Sequence, residues 1–199
     1  MKTLKVLRNH KGFSALEISV TTTILAGITA VGVGSFQNQI SHTKRNEAKV
    51  NLSAIFAAEK NFFVEFKTYY TNLQVIGFSP TGRQSYNVGF TLASADHPGA
   101  TDLATINGFG NSRALAGFAA NSMITLADLC NPALNPTTSC SMSNFSQQPL
   151  SQASAAESFT ADRDEFSVAA VSTHTRGNID SLSINDSGVM RILRDGTMP

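Results

Sequence analysis

The sequence predicts an α+β protein: a long N-terminal helix, transmembrane in its first half and amphipathic in its second, packed on an antiparallel β-sheet head. Three observations carry that prediction. An apolar run extends from Phe13 to about Phe36 with Glu17 as its only charge. From Phe36 to about Phe66, apolar side chains recur every three or four residues, the period of one helix face. The C-terminal third carries short alternating or β-branched stretches between turn signals, the mark of antiparallel strands.

The apolar run comes first. About 24 residues at 1.5 Å each make a helix of about 36 Å, enough for a hydrocarbon layer of about 30 Å. The run exceeds the roughly 7–15-residue core of an ordinary secretory signal. Lys2, Lys5, Arg8 and Lys11 precede it in a 1–12 leader that the positive-inside rule holds in the cytoplasm. Within the run Ser14, Ser19, Thr21, Thr22, Thr23 and Thr29 are polar, and Gly27, Gly32 and Gly34 each weaken a helix by roughly 1 kcal/mol relative to Ala in water. Such small and hydroxyl residues suit a helix that exchanges lipid for contacts with its own copies; a plain single-span anchor is the simpler alternative.

Glu17 separates the two. An acid inside a span costs roughly 2.5–3.5 kcal/mol and persists where it has a partner, yet no Lys or Arg lies within the run. A cut between Gly12 and Phe13 would create an α-amino group about one helical turn before Glu17, or on a neighbouring copy.

The segment Lys11-Gly12-Phe13-Ser14-Ala15-Leu16-Glu17 resembles the prepilin peptidase signature of type IV pilins and type II secretion pseudopilins. The likeness combines a short basic leader, Gly before the cut, Phe after it, Glu at the fifth mature residue and an apolar run. It implies a pilin-like fold; the residues themselves show no ligand pattern from which a cofactor or metal would be expected. It further implies cleavage after Gly12 by a membrane aspartyl peptidase, which also N-methylates Phe13, and pairing of Glu17 with the Phe13 amine of a neighbour during assembly. The implied protein begins as a precursor in a bacterial inner membrane. It then joins an extracellular pilus of like subunits, served by an assembly platform, motor ATPases and an outer-membrane secretin, for twitching motility, adhesion or DNA uptake. Two departures stand out: Thr21-Thr22-Thr23 where aliphatic residues are usual, and Gly34 where many pilins carry Pro. Glycine favours unwound backbone without forcing it, so residues 32–34 are expected to lose helicity when the fibre is stretched.

The amphipathic half, residues 37–70, follows. Ile40, Ala48, Leu52, Ile55, Phe56, Phe62, Phe63 and Phe66 continue the stripe from Phe36, with Lys44, Arg45, Glu47, Lys49, Glu59 and Lys60 interleaved. No Pro separates the halves, so residues 13–66 are expected to form one helix of about 80 Å, one half projecting and the other packed on the head. The block Asn46-Glu47-Ala48-Lys49-Val50-Asn51-Leu52 with Ile55-Phe56, and later Ile76-Gly77-Phe78-Ser79-Pro80, is similar to a Gram-negative major-pilin subgroup, favouring pilin over pseudopilin. The aromatic series Phe56, Phe62, Phe63, Phe66, Tyr69 and Tyr70 reads as core packing.

The head, residues 71–199, opens with turn-rich chain: Ser79-Pro80, Thr81-Gly82, His97-Pro98-Gly99 and Asn107-Gly108 separate β-prone pieces such as 86–92. Residues 127–158, rich in Pro, Ser and Gln, read as an irregular excursion pinned by a Cys130–Cys140 disulfide. These are the two cysteines of the chain, without a nearby His or second ligand pair, which is poor zinc chemistry and indicates an oxidising compartment. Strands are expected over 165–172, 179–184 and 189–193, with a turn at Asn185-Asp186-Ser187-Gly188.

Composition narrows the function classes. The 199 residues, 42% hydrophobic and 15% charged, suit one domain with an extension. The net charge of +1 is carried by the leader; beyond residue 12 there are 11 basic and 14 acidic residues, a balance unlike that of a duplex-binding surface. Nucleic acid is therefore not expected as the main partner. His10, His42, His97 and His174 are scattered, and no hydrolase elbow, P-loop or dinucleotide fingerprint occurs. The acidic group Asp162, Asp164 and Glu165 lacks a regular calcium-ligand pattern. The alternatives to a major pilin are a type II secretion pseudopilin, a minor pilin and, remotely, a membrane-anchored enzyme.

Overall fold

The computed structural model describes residues 12–92, 123–143, 148–154, 157–173 and 177–196; the side chains of residues 30–35, 37 and 38 lie outside the description. The leader before Gly12 and the turns expected at His97-Pro98-Gly99 and Asn107-Gly108 fall outside it too. Helix α1 covers Ala15–Phe66, 52 residues, and passes through Gly32 and Gly34 in helical form. Contacts divide the chain after Ile40 into two units, each described by itself.

In the first unit the described apolar side chains are exposed, among them Phe13, Leu16, Ile24, Leu25, Ile28 and Phe36. Among the described residues no helix is long and apolar enough to cross a membrane. The span expected over 13–36 includes residues 30–35, whose side chains lie outside the description.

In the second unit, the face of α1 that enters the core is Arg45, Ala48, Leu52, Ile55, Glu59 and Phe62, spaced alternately three and four apart as one helix face requires. Two expectations are corrected along α1. Phe36 and Ile40, expected on the apolar stripe, fall in the first unit and are exposed, whereas Arg45 and Glu59, expected among the interleaved polar residues, are buried in the second. After Phe66 the helix stops at Lys67, which is left-handed (φ 58°) and donates its N–H to Phe63 O at 2.8 Å, an αL-type ending.

Strands β1 (Gly82–Gln84) and β2 (Asn87–Gly89) follow, then a single-turn helix α2 (Leu126–Leu129) and β3 (Cys140–Met142). A 3-10 turn at Leu150–Gln152 leads to β4 (Ser167–Thr173), β5 (Ile179–Asn185) and β6 (Met190–Arg194). The main sheet is antiparallel in the order β2-β4-β5-β6; β1 and β3 form a separate parallel pair. The β4–β5 register runs from Ser167↔Asn185 to Thr173↔Ile179. The β5–β6 turn closes where the Gly188 N–H meets Asn185 O at 2.9 Å and Val189 N–H meets Asn185 Oδ1 at 2.9 Å, with Gly188 at φ 75°, a conformation cheap for glycine.

Strand alternation decides which side chains meet α1. Val168 and Ala170 of β4 and Leu182 and Ile184 of β5 join the cluster holding Leu52, Ile55 and Phe62. Ala169 and Val171 point the other way, into a smaller cluster with Leu150, Ala153 and Phe159. The segment around the 3-10 turn thus covers the second sheet face, and the Ser181 hydroxyl on that face donates to Ala153 O at 2.7 Å.

Candidate functional site

The N-terminal segment places Gly12 and Phe13 immediately before α1, both exposed, Phe13 at 82%. A Cβ on Gly12 would meet nothing within 4 Å, and Gly12 does not have a positive φ. The fold therefore does not demand glycine there.

Helix α1 begins with a reciprocal cap. Ser14 N–H donates to Glu17 Oε2 at 3.2 Å, and Glu17 N–H donates to Ser14 Oγ at 3.4 Å. Ser14 is the N-cap and Glu17 the third helical residue, which is a capping box; the acid also sits favourably at the positive end of the helix dipole. In this arrangement the Glu17 carboxylate is a ligand for its own helix start.

The threonines beyond it are folded against their own backbone. Thr21 Oγ1 donates to Glu17 O at 2.8 Å, Thr22 to Ile18 O at 2.8 Å, Thr23 to Ser19 O at 2.8 Å and Thr29 to Leu25 O at 2.9 Å. Each hydroxyl is satisfied one turn back, so the cluster that departs from the aliphatic pattern retains its methyl groups for packing while its polar atoms are paired within the helix. Residues 13–29 thus present an apolar surface that no described residue of their own unit covers.

The second sequence-designated site is in the head. Cys130 and Cys140 are bonded, with Cα atoms 5.0 Å apart. The bridge ties the end of α2 to the start of β3, and β3 in turn pairs Cys140 with Gly82 of β1. The enclosed loop is ordered by its own bonds: Asn135 N–H donates to Asn131 O at 2.8 Å and Asn135 Nδ2 to Leu129 O at 3.1 Å. Among the described residues no cluster of His, Cys, Asp or Glu is placed to hold a metal ion.

No family model matches the chain. It is 30% identical over 87 residues to the type IV major pilin protein PilA of Myxococcus xanthus (strain DK1622). The likeness supports a type IV pilin. The matched stretch covers 44% of this chain and 40% of that protein, so the chain spans well under half the length of the curated relative it matches.

In the head the residues that sequence reasoning missed are charged ones. Arg45 Nε donates to Asp180 Oδ2 at 3.0 Å, its Nη2 reaches both Asp180 and Asp195, Tyr86 donates its hydroxyl to Asp180 Oδ2, and Gly196 N–H donates to Asp180 Oδ1 at 3.1 Å. Arg45, Tyr86 and Asp180 are buried, so one carboxylate joins α1, the start of β2, β5 and the chain after β6. The Asp180 hydrogen bond raises the Arg45 pKa further above its ordinary value, and burial together with Asp180 raises that of Tyr86. Lys60 Nζ lies 2.6 Å from Tyr69 Oη and 5.0–5.9 Å from the ring centres of Tyr69, Phe56 and Phe166. The aromatic series packs in and against the core, with Phe62, Tyr69 and Tyr70 buried and Phe56, Phe63 and Phe66 partly buried beside them, as its sequence reading holds. Spacing could have flagged Arg45 and Glu59, since both fall in step with Ala48, Leu52, Ile55 and Phe62. The four-residue pattern Ser14-x-x-Glu17 could likewise have flagged the cap.

Proposed function

We propose that this chain is a major pilin, a structural subunit that polymerises through its N-terminal helix into a type IV pilus on the bacterial surface. The observation that carries the reading is residues 13–29: a capped helix start directly after an exposed Gly12-Phe13 junction, followed by uncovered aliphatic side chains and internally paired threonine hydroxyls. No described residue of their own unit covers these side chains, and copies of the same helix would cover them by close packing.

In this reading a prepilin peptidase cuts after Gly12 and methylates the Phe13 amine, and Glu17 then exchanges its bond to Ser14 N–H for the amine of a neighbouring subunit. The precursor passes through the inner membrane, where the platform and motor ATPases assemble it, and the fibre leaves through the secretin. Residues 32–34, helical in the subunit, are the proposed place of unwinding under tension. Motility, adhesion and DNA uptake are the uses such a fibre serves.

Gly12→Glu tests the reading. Because the fold does not need glycine at this position, the variant is expected to fold, retain its leader and produce no surface filaments, as read by immunoblot of membrane and sheared fractions. Normal filaments from this variant would overturn it.

A further inference from the structure

Glu59 is a charged-type side chain without exposure, in the middle of the α1 face that enters the core. It lies one turn from Ile55 and Phe62, both buried. Its Oε2 accepts the Tyr70 N–H at 3.1 Å, and its Oε1, also buried, has no hydrogen-bond partner. The bond spans the end of α1: between Glu59 and Tyr70 lie the helix stop and the left-handed Lys67. A carboxyl is an expensive group to bury, and one with a free buried oxygen is cheaper as the neutral acid.

We propose that Glu59 is a proton-operated latch on the turn that ends α1, closed while its carboxyl is neutral and loosened as the solution becomes less acidic.

The segments that meet at this turn carry several charges. Lys60 on the helix is directed at the Tyr69 hydroxyl. Lys67 and Tyr70 belong to the turn itself, and Asp162 and Glu165 lie on the segment whose Asp162 O accepts the Tyr69 N–H at 3.3 Å. None of these charges sets the state of Glu59. Burial raises its pKa to about 8, and the Tyr70 N–H opposes that in part. Burial likewise pushes Tyr70 up to about 12, so its phenol is neutral throughout the range that matters.

The sign follows from proton counting. When the turn opens, Glu59 reaches water and takes the ordinary carboxylate pKa, about 4.3. Between that value and about 8 the open form has lost its proton while the closed form holds it, so opening releases a proton and becomes easier as pH rises. The gain approaches tenfold per pH unit inside this window and levels off above it, where both forms are ionised. The latch concerns the head and does not rest on the pilin reading.

The test is hydrogen exchange at the Tyr70 amide in the full chain in detergent micelles, corrected for the intrinsic pH dependence of exchange, together with a 13C titration of the Glu59 carboxyl. Protection at Tyr70 is expected to fall by up to tenfold per unit between about pH 5 and 8 in the natural chain, and to stay flat in Glu59→Gln, whose side chain has no charge to gain. The 13C signal of the natural chain is expected to titrate near 8, a readout that stands even where the variant fails to fold. A carboxyl titrating between 4 and 5, or parallel protection profiles in the two chains, would overturn the latch.

Discussion

Residues 13–29 and 41–66 belong to one helix and obey opposite rules. The first stretch leaves its aliphatic side chains in the open and turns its threonine hydroxyls inward to the backbone. The second buries Ala48, Leu52, Ile55 and Phe62 and takes two charged residues, Arg45 and Glu59, into the core with them. A fold that served only itself would have no use for the first arrangement. The difference teaches that the head is stabilised by its own contacts, whereas the N-terminal stretch leaves its apolar side chains uncovered, which is what the proposed assembly would use.

Substitutions can break this contrast from either side. The largest effect is expected at the buried ion network: Arg45→Ala leaves Asp180 buried without its cation and should destabilise the head by about 3–5 kcal/mol, read as a lowered urea midpoint of the full chain in detergent. Replacing Cys130 and Cys140 together by Ser should remove about 3 kcal/mol, and the same unfolding curve under reducing conditions should converge on that of the variant.

Gly89→Ala is the next largest. Gly89 sits in β2 at φ 155°, where a Cβ would lie 3.1 Å from Leu150 Cδ1 and 3.3 Å from the Thr125 backbone. Overpacking of this kind costs about 1–3 kcal/mol. Lys67→Gly should act in the other direction by up to about 1 kcal/mol, because a left-handed residue carries a Cβ penalty that glycine lacks. A lower melting temperature for this variant would contradict the assignment of strain to Lys67.

The smallest effect on the head, and the sharpest for the comparison, belongs to Glu17→Ala. Loss of the capping box costs the helix start roughly 1 kcal/mol, but the head's unfolding midpoint should not move, while surface filaments should be lost. Head destabilisation with normal filaments would reverse the division of labour drawn here.

Much of this architecture is legible in the sequence. Strands expected over 165–172, 179–184 and 189–193 form as Ser167–Thr173, Ile179–Asn185 and Met190–Arg194, because alternation and an Asn-Asp-Ser-Gly turn are local signals. The disulfide is legible because two cysteines without other ligands have one chemistry open to them. The parallel β1–β3 pair is not, since three-residue strands leave no period to read and pairing 58 residues apart in sequence, Gly82 with Cys140, is a tertiary outcome. Residue type assigns Arg45 and Glu59 to solvent, whereas their spacing belongs to the core face; their burial depends on Asp180 and the Tyr70 N–H, partners that sequence order hides. At the N-terminus the roles read for the junction Gly12-Phe13 and for Glu17 rest on resemblance and belong to the proposal. The inward-turned threonines are legible only once the helix fixes each hydroxyl over the carbonyl one turn back.

The most direct test of the account is the mature amino terminus, determined by mass spectrometry on sheared surface filaments. The account predicts N-methylated Phe13 as the first residue in that fraction. An intact Met1 confined to the membrane fraction would contradict it and leave a plain anchored protein in its place.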